Sequence, residues 1–236
     1  MYRTGYCCIN LSLDENFKTM QLTWANKNPE EVPKKWREVV THNFRLLGKI
    51  IEWNINNKVF LYRISSDLIP FADHEVWGQL WREALRADWM AEVSSPARQA
   101  LTNYRTLGGR LTIHPGQFVV ISSERQDVRE KSLLNLEYHA QLLDYLGLPE
   151  TVECPINIHI SNGSKGEQVV NNVEDTMDDY IFIIGIYSLK YNIIPLLFSR
   201  SKNKILSVRG MLHPGALSQK SFKKNKTMKK LKEKRA

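Results

Sequence analysis

The sequence predicts an α/β protein with a parallel sheet, of the (β/α) barrel type. Short β-type runs alternate with helical segments four times along the chain, which is typical of a parallel sheet with helices outside it. Polar residues follow the carboxyl ends of these runs, where barrel proteins build their active sites. The chain has 236 residues, of which 42% are hydrophobic, so it can form a sizeable core.

The first two units occupy the first hundred residues. A strand is predicted over 3–13 and a helix over 33–57, where apolar residues recur at spacings of three and four. These apolar positions are Trp36, Val39, Val40, Phe44, Leu47, Ile50 and Ile51. A second strand over 58–66 leads into a loop, and helical sequence then covers 75–106 before Gly108 and Gly109.

The next two units follow the same order. A strand is predicted over 110–114, a helix over 126–146, a strand over 156–161 and a shorter helix over 166–178. Four units make only half of a barrel. The remaining strands must therefore come from 181–236 or be absent.

The charge distribution divides the chain near Tyr180. Residues 1–180 carry 19 Lys and Arg against 24 Asp and Glu, whereas residues 181–236 carry 14 Lys and Arg and the single acid Glu233. We therefore expect 1–180 to be the N-terminal part of a barrel domain and 181–219 a divergent apolar and basic segment. The lysine-rich residues 220–236 are predicted to be a disordered tail.

Targeting signals are not expected. The apolar stretch 181–198 contains Lys190, Asn192 and Pro195, which favours buried or misfolded β-like sequence over a membrane span. No basic region followed by a long apolar run marks a signal peptide at the N-terminus. The three cysteines lack metal-site spacing and are expected to be reduced core thiols of an intracellular protein.

Three histidines follow three successive predicted strands. His74 lies in the loop after the second strand, His114 ends the third and His159 lies near the end of the fourth. The carboxyl ends of parallel strands meet at one face of a barrel. Three imidazoles on one face suit a divalent transition metal such as Zn²⁺ or Mn²⁺. His42 and His139 lie within helices and are interpreted as surface or packing residues.

Other side chains reach the same face. Tyr6 and Asn10 flank the end of the first strand, and Gln117 and Phe118 follow His114. An amide and an aromatic ring on a rim loop could stack on a nucleobase or wedge beside it. Alternatively, Phe118 begins another buried run. The sequence leaves both interpretations open.

Five stretches carry a family resemblance. They are GYCCINLSL at 5–13, LYRISSDLIPFADH at 61–74, LTIHPGQFVV at 111–120, LNLEYHAQLLDYLGL at 134–148 and INIHISNGSKGE at 156–167. Together they resemble the UV damage endonuclease family over residues 1–178. The HPGQF motif after a strand, with PFADH upstream, is hard to match by chance.

The resemblance implies a TIM barrel related to endonuclease IV. It implies a metal-dependent hydrolase that cuts duplex DNA 5′ to UV photoproducts in excision repair, with damaged double-stranded DNA as its partner. The implied cofactors are divalent metals, commonly Mn²⁺, with Zn²⁺ or Mg²⁺ as alternatives. A cytoplasmic setting in a bacterium, or a bacteriophage gene, is expected.

The same resemblance assigns residues. His74, His114 and His159 fall at family metal-ligand positions. Gln117 and Phe118 fall where the family inserts a probing pair into the duplex, while Tyr6 and Asn10 fall near the damaged nucleotides.

The family pattern is not readable beyond the fourth unit. No Asp or Glu occurs between Asp179 and Glu233, so the family's catalytic carboxylates are not found. We expect the C-terminal part to be missing or replaced, as after a frameshift, and the truncated chain to be inactive unless a partner chain completes the barrel.

Two other functions stay open from the residues. A metal-dependent sugar isomerase or epimerase also uses histidines and carboxylates at strand ends, but would not need Gln117 and Phe118. A non-catalytic DNA-binding remnant would instead use the lysine-rich tail, with binding that is sequence-independent and weakened by salt.

Overall fold

A computed structural model describes residues 4–116, 118–121, 123–149, 151 and 153–157. Its sheet contains three parallel strands: β1 (Gly5–Cys7), β2 (Leu61–Ile64) and β3 (Arg110–Ile113). Their spatial order is β1-β2-β3, with Gly5 opposite Leu61 and Leu61 opposite Arg110. The predicted α/β class with a parallel sheet is therefore confirmed.

Five α-helices accompany this sheet within the described residues. They are α1 (Leu22–Lys27), α2 (Val32–Asn56), α3 (Gln79–Ala84), α4 (Asp88–Thr106) and α5 (Gln126–Tyr145). Short 3-10 helices cover Pro29–Glu31 and Ser66–Leu68. Pro33 lies in the first turn of α2, where its missing N–H removes no intrahelical hydrogen bond.

Strands β2 and β3 are buried on alternate residues because successive side chains point to opposite faces. In β2 the side chains of Tyr62 and Ile64 are fully buried, and in β3 those of Leu111 and Ile113 are. Helix α2 contributes the largest share of the core through its apolar stripe.

Helices α2 and α4 approach closely. A Cβ atom at Gly48 of α2 would lie 3.5 Å from the Cα of Ala97 in α4, which is ordinary van der Waals contact, so the two backbones approach to about the width of one methyl group. Pro96 lies beside this contact inside α4.

Three sequence predictions were wrong in extent. Strand β1 ends at Cys7 rather than near residue 13, because Cys8 has a φ of 59° and leaves the extended conformation. The helical segment predicted over 75–106 is two helices, because Ala87 is extended with φ −94° and ψ 134°. Helix α1 lies between the predicted strand over 3–13 and the predicted helix over 33–57, where no helix was expected. Of the cysteines expected in the core, Cys154 is buried but Cys7 is exposed, because it lies at the end of the outer strand β1.

The fourth predicted strand begins as expected. Ile156 forms a parallel bridge to Ile113, and the Asn157 N–H donates to the Ile113 carbonyl at 2.8 Å. Residues 158–161, the helix predicted over 166–178 and the segments 181–219 and 220–236 lie outside the described residues. No helix in the described part of the chain is both long and apolar enough to cross a bilayer.

Candidate functional site at the carboxyl edge of the sheet

The carboxyl ends of the three strands lie at one edge of the sheet because all three run in the same direction. The loops that follow them carry the residues predicted for the site. Asn10 lies after β1, His74 after β2, and His114 and Phe118 after β3. Gln117 and His159 lie outside the described residues, so their predicted roles stay predictions.

Asn43 on α2 joins two of these loops. Its side chain is fully buried, and its Oδ1 accepts a hydrogen bond from the Lys18 N–H at 2.8 Å. Its Nδ2 donates to the carbonyl oxygens of Lys18 at 2.9 Å and Leu68 at 3.0 Å. One helix residue therefore fixes the loop after β1 against the loop after β2.

Tyr6 and Asn10 form a buried hydrogen-bonded chain. The Tyr6 hydroxyl donates to Oδ1 of Asn54 at 2.6 Å and accepts from Nδ2 of Asn10 at 2.8 Å. Asn10 is only 4% exposed, and its Oδ1 accepts from the Ser12 N–H at 2.9 Å. Both side chains are therefore committed to holding the loop after β1.

Aromatic rings surround Tyr6. Its ring centroid lies 5.1 Å from that of Tyr62 and 6.3 Å, edge-on, from that of Trp53. Burial raises the pKa of the Tyr6 hydroxyl, although the hydrogen bonds from Asn10 and to Asn54 oppose this effect. The hydroxyl is therefore neutral near pH 7 and acts as a hydrogen-bonding group rather than a base.

His74 is held by its own loop. Its Nδ1 accepts hydrogen bonds from the N–H groups of Val76 at 3.2 Å and Trp77 at 3.3 Å. In a neutral ring these bonds place the proton on Nε2. Binding of a metal at Nε2 would require this proton to leave Nε2 and the ring to release the two amides.

His114 has the opposite tautomer. Its Nδ1 lies 2.5 Å from the carbonyl oxygen of Pro115, which can only accept, so the proton is on Nδ1. Metal-binding histidines commonly donate one ring N–H to a carbonyl and bind the ion through the other nitrogen. His114 therefore has the tautomer that a metal ligand bound through Nε2 needs, whereas His74 would need a change of tautomer.

Phe118 is a surface residue. Its side chain is 82% exposed, while Val119 and Ile121 beyond it are buried. The Val119 N–H donates to the Gly116 carbonyl at 3.0 Å, and the Val120 N–H donates to Oγ of Ser132 at 2.9 Å. The buried run therefore begins at Val119, and the alternative that Phe118 starts it is wrong.

His139 was interpreted as a surface or packing residue, and the structure gives it a more specific environment. It is 1% exposed on α5, and its Nδ1 donates to the Asn135 carbonyl at 2.7 Å. Its Nε2 is buried and has no hydrogen-bond partner within the described part of the chain. Burial lowers the pKa of His139 to about 4; the hydrogen bond to the Asn135 carbonyl and the charge of Asp73 oppose this effect, whereas His114 adds to it.

Asn135 connects this histidine to the loop after β2. Its Nδ2 donates to Oδ2 of Asp73 at 2.6 Å, one residue before His74. The sequence signal for this pair was available, because Asn135 and His139 are four residues apart and share a helix face. Two polar residues on the inward face of an amphipathic helix indicate a specific hydrogen-bonding role.

A complete metal centre is not assembled within the described ranges. No three His, Cys, Asp or Glu side chains lie close enough there to hold an ion. His74 and His114 are thus brought to one edge of the sheet without forming a ligand set by themselves.

The geometry defines an α/β protein whose histidine-bearing and aromatic-bearing loops lie at the carboxyl edge of a parallel sheet, and the comparisons with known proteins show its family. The family model described as UV-endonuclease UvdE matches residues 2–180. The chain belongs to this family.

Individual relatives of this family are also similar in sequence to the chain. The UV DNA damage endonuclease of Nostoc sp. is 28% identical over 172 residues, covering 72% of this chain and 51% of the relative. That of Clostridium perfringens is 30% identical over 190 residues, covering 72% of this chain and 43% of the relative. The chain thus spans about half the length of the curated relatives it matches.

A solved structure is also similar. The crystal structure of SacUVDE matches with a TM-score of 0.61 and 29% sequence identity, covering 75% of this chain and 55% of that one. This match supports the helices and parallel sheet described above.

Proposed function

We propose that this chain acts in a metal-dependent DNA endonuclease that hydrolyses the backbone 5′ to a UV photoproduct. Membership of the UvdE family supports the reaction class, and the relatives named above are UV DNA damage endonucleases. The structural observation that carries the proposal is Phe118. An aromatic side chain, 82% exposed, stands four residues beyond His114 at the carboxyl edge of the sheet.

The fold belongs to the proposal as well. Three parallel strands in chain order, with helices between them, are the pattern of consecutive units of a (β/α) barrel. We propose that these units form one side of such a barrel. A second polypeptide segment or a partner chain would supply the other strands.

The proposed metal is Mn²⁺, with Zn²⁺ and Mg²⁺ as alternatives. His114 would bind it through Nε2, His74 would do so after releasing the Val76 and Trp77 amides, and His159 is the third proposed ligand. A bound divalent ion would supply a Lewis acid that neutralises charge on the phosphate and activates water. Carboxylates must complete a multi-metal site, because hard cations prefer oxygen ligands.

The DNA-binding residues have separate proposed roles. Phe118, with Gln117 beside it, would enter the duplex at the lesion, where weakened stacking lowers the cost of separating bases. Tyr6 and Asn10 would position the loop after β1 beneath the DNA, because their mutual hydrogen bond holds this loop in place.

A nicking assay tests the reaction. The full chain is incubated with Mn²⁺ and a duplex carrying one defined dithymine photoproduct, and products are mapped for a cut 5′ to the lesion. If a second copy of the chain completes the barrel, we expect cutting of the damaged duplex alone, loss of cutting in His114→Ala and His114→Gln, and retention in His42→Ala. Equal cutting of damaged and undamaged duplexes, or full activity of both His114 variants, would contradict the proposal.

DNA-binding measurements distinguish the proposed endonuclease from a DNA-binding remnant and from a sugar isomerase. If the chain is a DNA-binding remnant, it binds the damaged duplex without cutting it, and the binding weakens steeply with salt. If it resembles a sugar isomerase, it shows no preference for damaged DNA, and Phe118→Ala changes nothing. Under the proposed function, Phe118→Ala lowers the preference for the damaged duplex and leaves the unfolding midpoint unchanged.

A further inference from the structure

The loop after β1 presents an apolar tip. Leu11 is 93% exposed and Ile9 is 55% exposed, while Asn10 between them is 4% exposed. The residue that the sequence singled out in this loop is therefore below the surface. Its two apolar neighbours reach solvent instead.

The tip is held rigidly from beneath. The Leu13 N–H donates to the Asn10 carbonyl at 3.2 Å, and the Ser12 N–H donates to Oδ1 of Asn10 at 2.9 Å. These bonds close a turn with Leu11 at its outer position. Because Asn10 is itself bonded to Tyr6, the position of Leu11 does not depend on packing of the leucine side chain.

The tip lies at the same edge of the sheet as Phe118. Strand β2 separates β1 from β3, so the ends of these two strands are two strand spacings apart, about 9.5 Å. That distance is roughly three base steps of DNA. The loops after β1 and β3 could thus contact a duplex on either side of a lesion that joins two neighbouring bases.

The charge beside the tip is compatible with a polyanion. Glu15 forms ion pairs with both Arg45 and Lys49 of α2, whose side chains are 48% and 45% exposed. Asp14 is a second, exposed acid of this loop, so two acids face two cations and this side of the loop is close to neutral. A phosphate backbone can approach it without repulsion.

We propose that Leu11 is a second wedge, which inserts into a destabilised step of duplex DNA on the opposite side of the lesion from Phe118. Apolar side chains that enter DNA between base steps act in this way, unstacking the step and bending the duplex. The proposal rests on the proposed function, because the occupant is damaged DNA. In this arrangement Tyr6 and Asn10 position the wedge and need not contact the bases themselves.

The test compares two exposed leucines at opposite edges of the sheet. Leu11→Ser removes the wedge, and Leu107→Ser is the control, because Leu107 is 55% exposed just before β3, away from the carboxyl edge. The duplexes carry a dithymine photoproduct, or none, with 2-aminopurine at the neighbouring base step. Binding is followed by fluorescence anisotropy, unstacking by 2-aminopurine emission and folding by urea unfolding.

The wild-type chain is expected to bind the damaged duplex preferentially and to raise the 2-aminopurine emission. Leu11→Ser should lower the preference for damaged over undamaged duplex by about tenfold or more and abolish the rise in emission. Leu107→Ser should match the wild type, and both variants should unfold as the wild type does.

Several results would overturn the assignment of Leu11. These are wild-type preference and emission in Leu11→Ser, an equal loss on damaged and undamaged duplexes, or an equal loss in Leu107→Ser. A change in sedimentation of Leu11→Ser without any effect on DNA would show that another copy of the chain covers the tip. Absence of lesion preference in the wild type would instead refute the proposed function itself.

Discussion

Protonation of His139 should destabilise the fold between pH 6.5 and pH 4. Burial lowers the pKa of this histidine from 6.5 to about 4 in the folded chain. In the unfolded chain the ring is solvated and keeps its ordinary pKa, so the unfolded state binds the proton more tightly. The stability conferred by the neutral ring is therefore complete above pH 6.5 and is lost as the pH falls towards 4.

The expected size of the effect follows from the pKa difference. A lowering from 6.5 to about 4, at 1.36 kcal/mol for each pKa unit, gives about 3 kcal/mol of unfolding free energy. That is a large part of the stability of an ordinary domain. The carboxylate of Glu15 acts in a different range, because its ion pairs lower its pKa from 4.5 to about 2.

Urea unfolding at half-unit steps from pH 7.5 to pH 4.5 measures the effect. His139→Gln keeps a donor for the Asn135 carbonyl but cannot be protonated, so its unfolding free energy should be nearly flat across this range. His42→Gln, on the partly exposed face of α2, should follow the wild type. If His139→Gln loses as much stability as the wild type between pH 6.5 and pH 4.5, the argument from burial is refuted.

Two further substitutions test the packing around the site, each against a matched control and each measured by urea unfolding. Asn43→Ala removes the hydrogen bonds that join the loops after β1 and β2 and should cost about 3 kcal/mol, whereas Asn57→Ala, which loses one exposed bond, should cost less than about 1 kcal/mol. Gly109→Ala would place a Cβ 2.3 Å from the Tyr104 ring and should cost about 1–3 kcal/mol, whereas Gly116→Ala meets nothing within 4 Å and should be nearly neutral. An unaltered Asn43→Ala midpoint, or equal effects of the two glycine variants, would contradict these assignments.

The helices and strands that the sequence predicted best are those with a strong local pattern. Helix α2 was expected over 33–57 and covers Val32–Asn56, because its apolar stripe from Trp36 to Ile51 repeats for about four turns and Pro33 marks its start. Strand β3 was expected over 110–114 and covers Arg110–Ile113, between Gly109 and the Pro115–Gly116 turn. In both cases the local signal and the tertiary packing agree.

The features that the sequence predicted wrongly depend on backbone conformation or on contacts between distant residues. The end of β1 depends on the positive φ of Cys8, a residue type that gives no warning of that conformation. The side chain of Asn10 turns inward because of Tyr6 and Asn54, and the latter lies 44 positions away in the sequence. Such contacts depend on the fold as a whole, so a linear pattern of residue types cannot reveal which polar groups bind a ligand and which bind one another.

In the candidate site too, features with a local sequence pattern were predictable, whereas features that depend on tertiary contacts were not. The position of His114 at the end of a strand was predictable, and so was the exposure of Phe118 as one of two alternatives. The tautomers of His74 and His114 were not, because each depends on which backbone group the ring meets. His139 is buried as a packing residue, one of the two roles expected of it, but its hydrogen bond to the Asn135 carbonyl was not predicted.

The strand order has a consequence for how the chain acquires its structure during synthesis. Neighbouring strands in space are also neighbours along the chain, and the paired residues Gly5, Leu61 and Arg110 are separated by 56 and 49 positions. When β2 emerges from the ribosome, its partner β1 has therefore already been synthesised, and the same holds for β3 and its partner β2. No strand synthesised later has to be inserted between two of these strands. N-terminal units fold first during translation. The β1–β2 pair and α2 can thus form first, and β3 can then pair with β2 before α5 is synthesised.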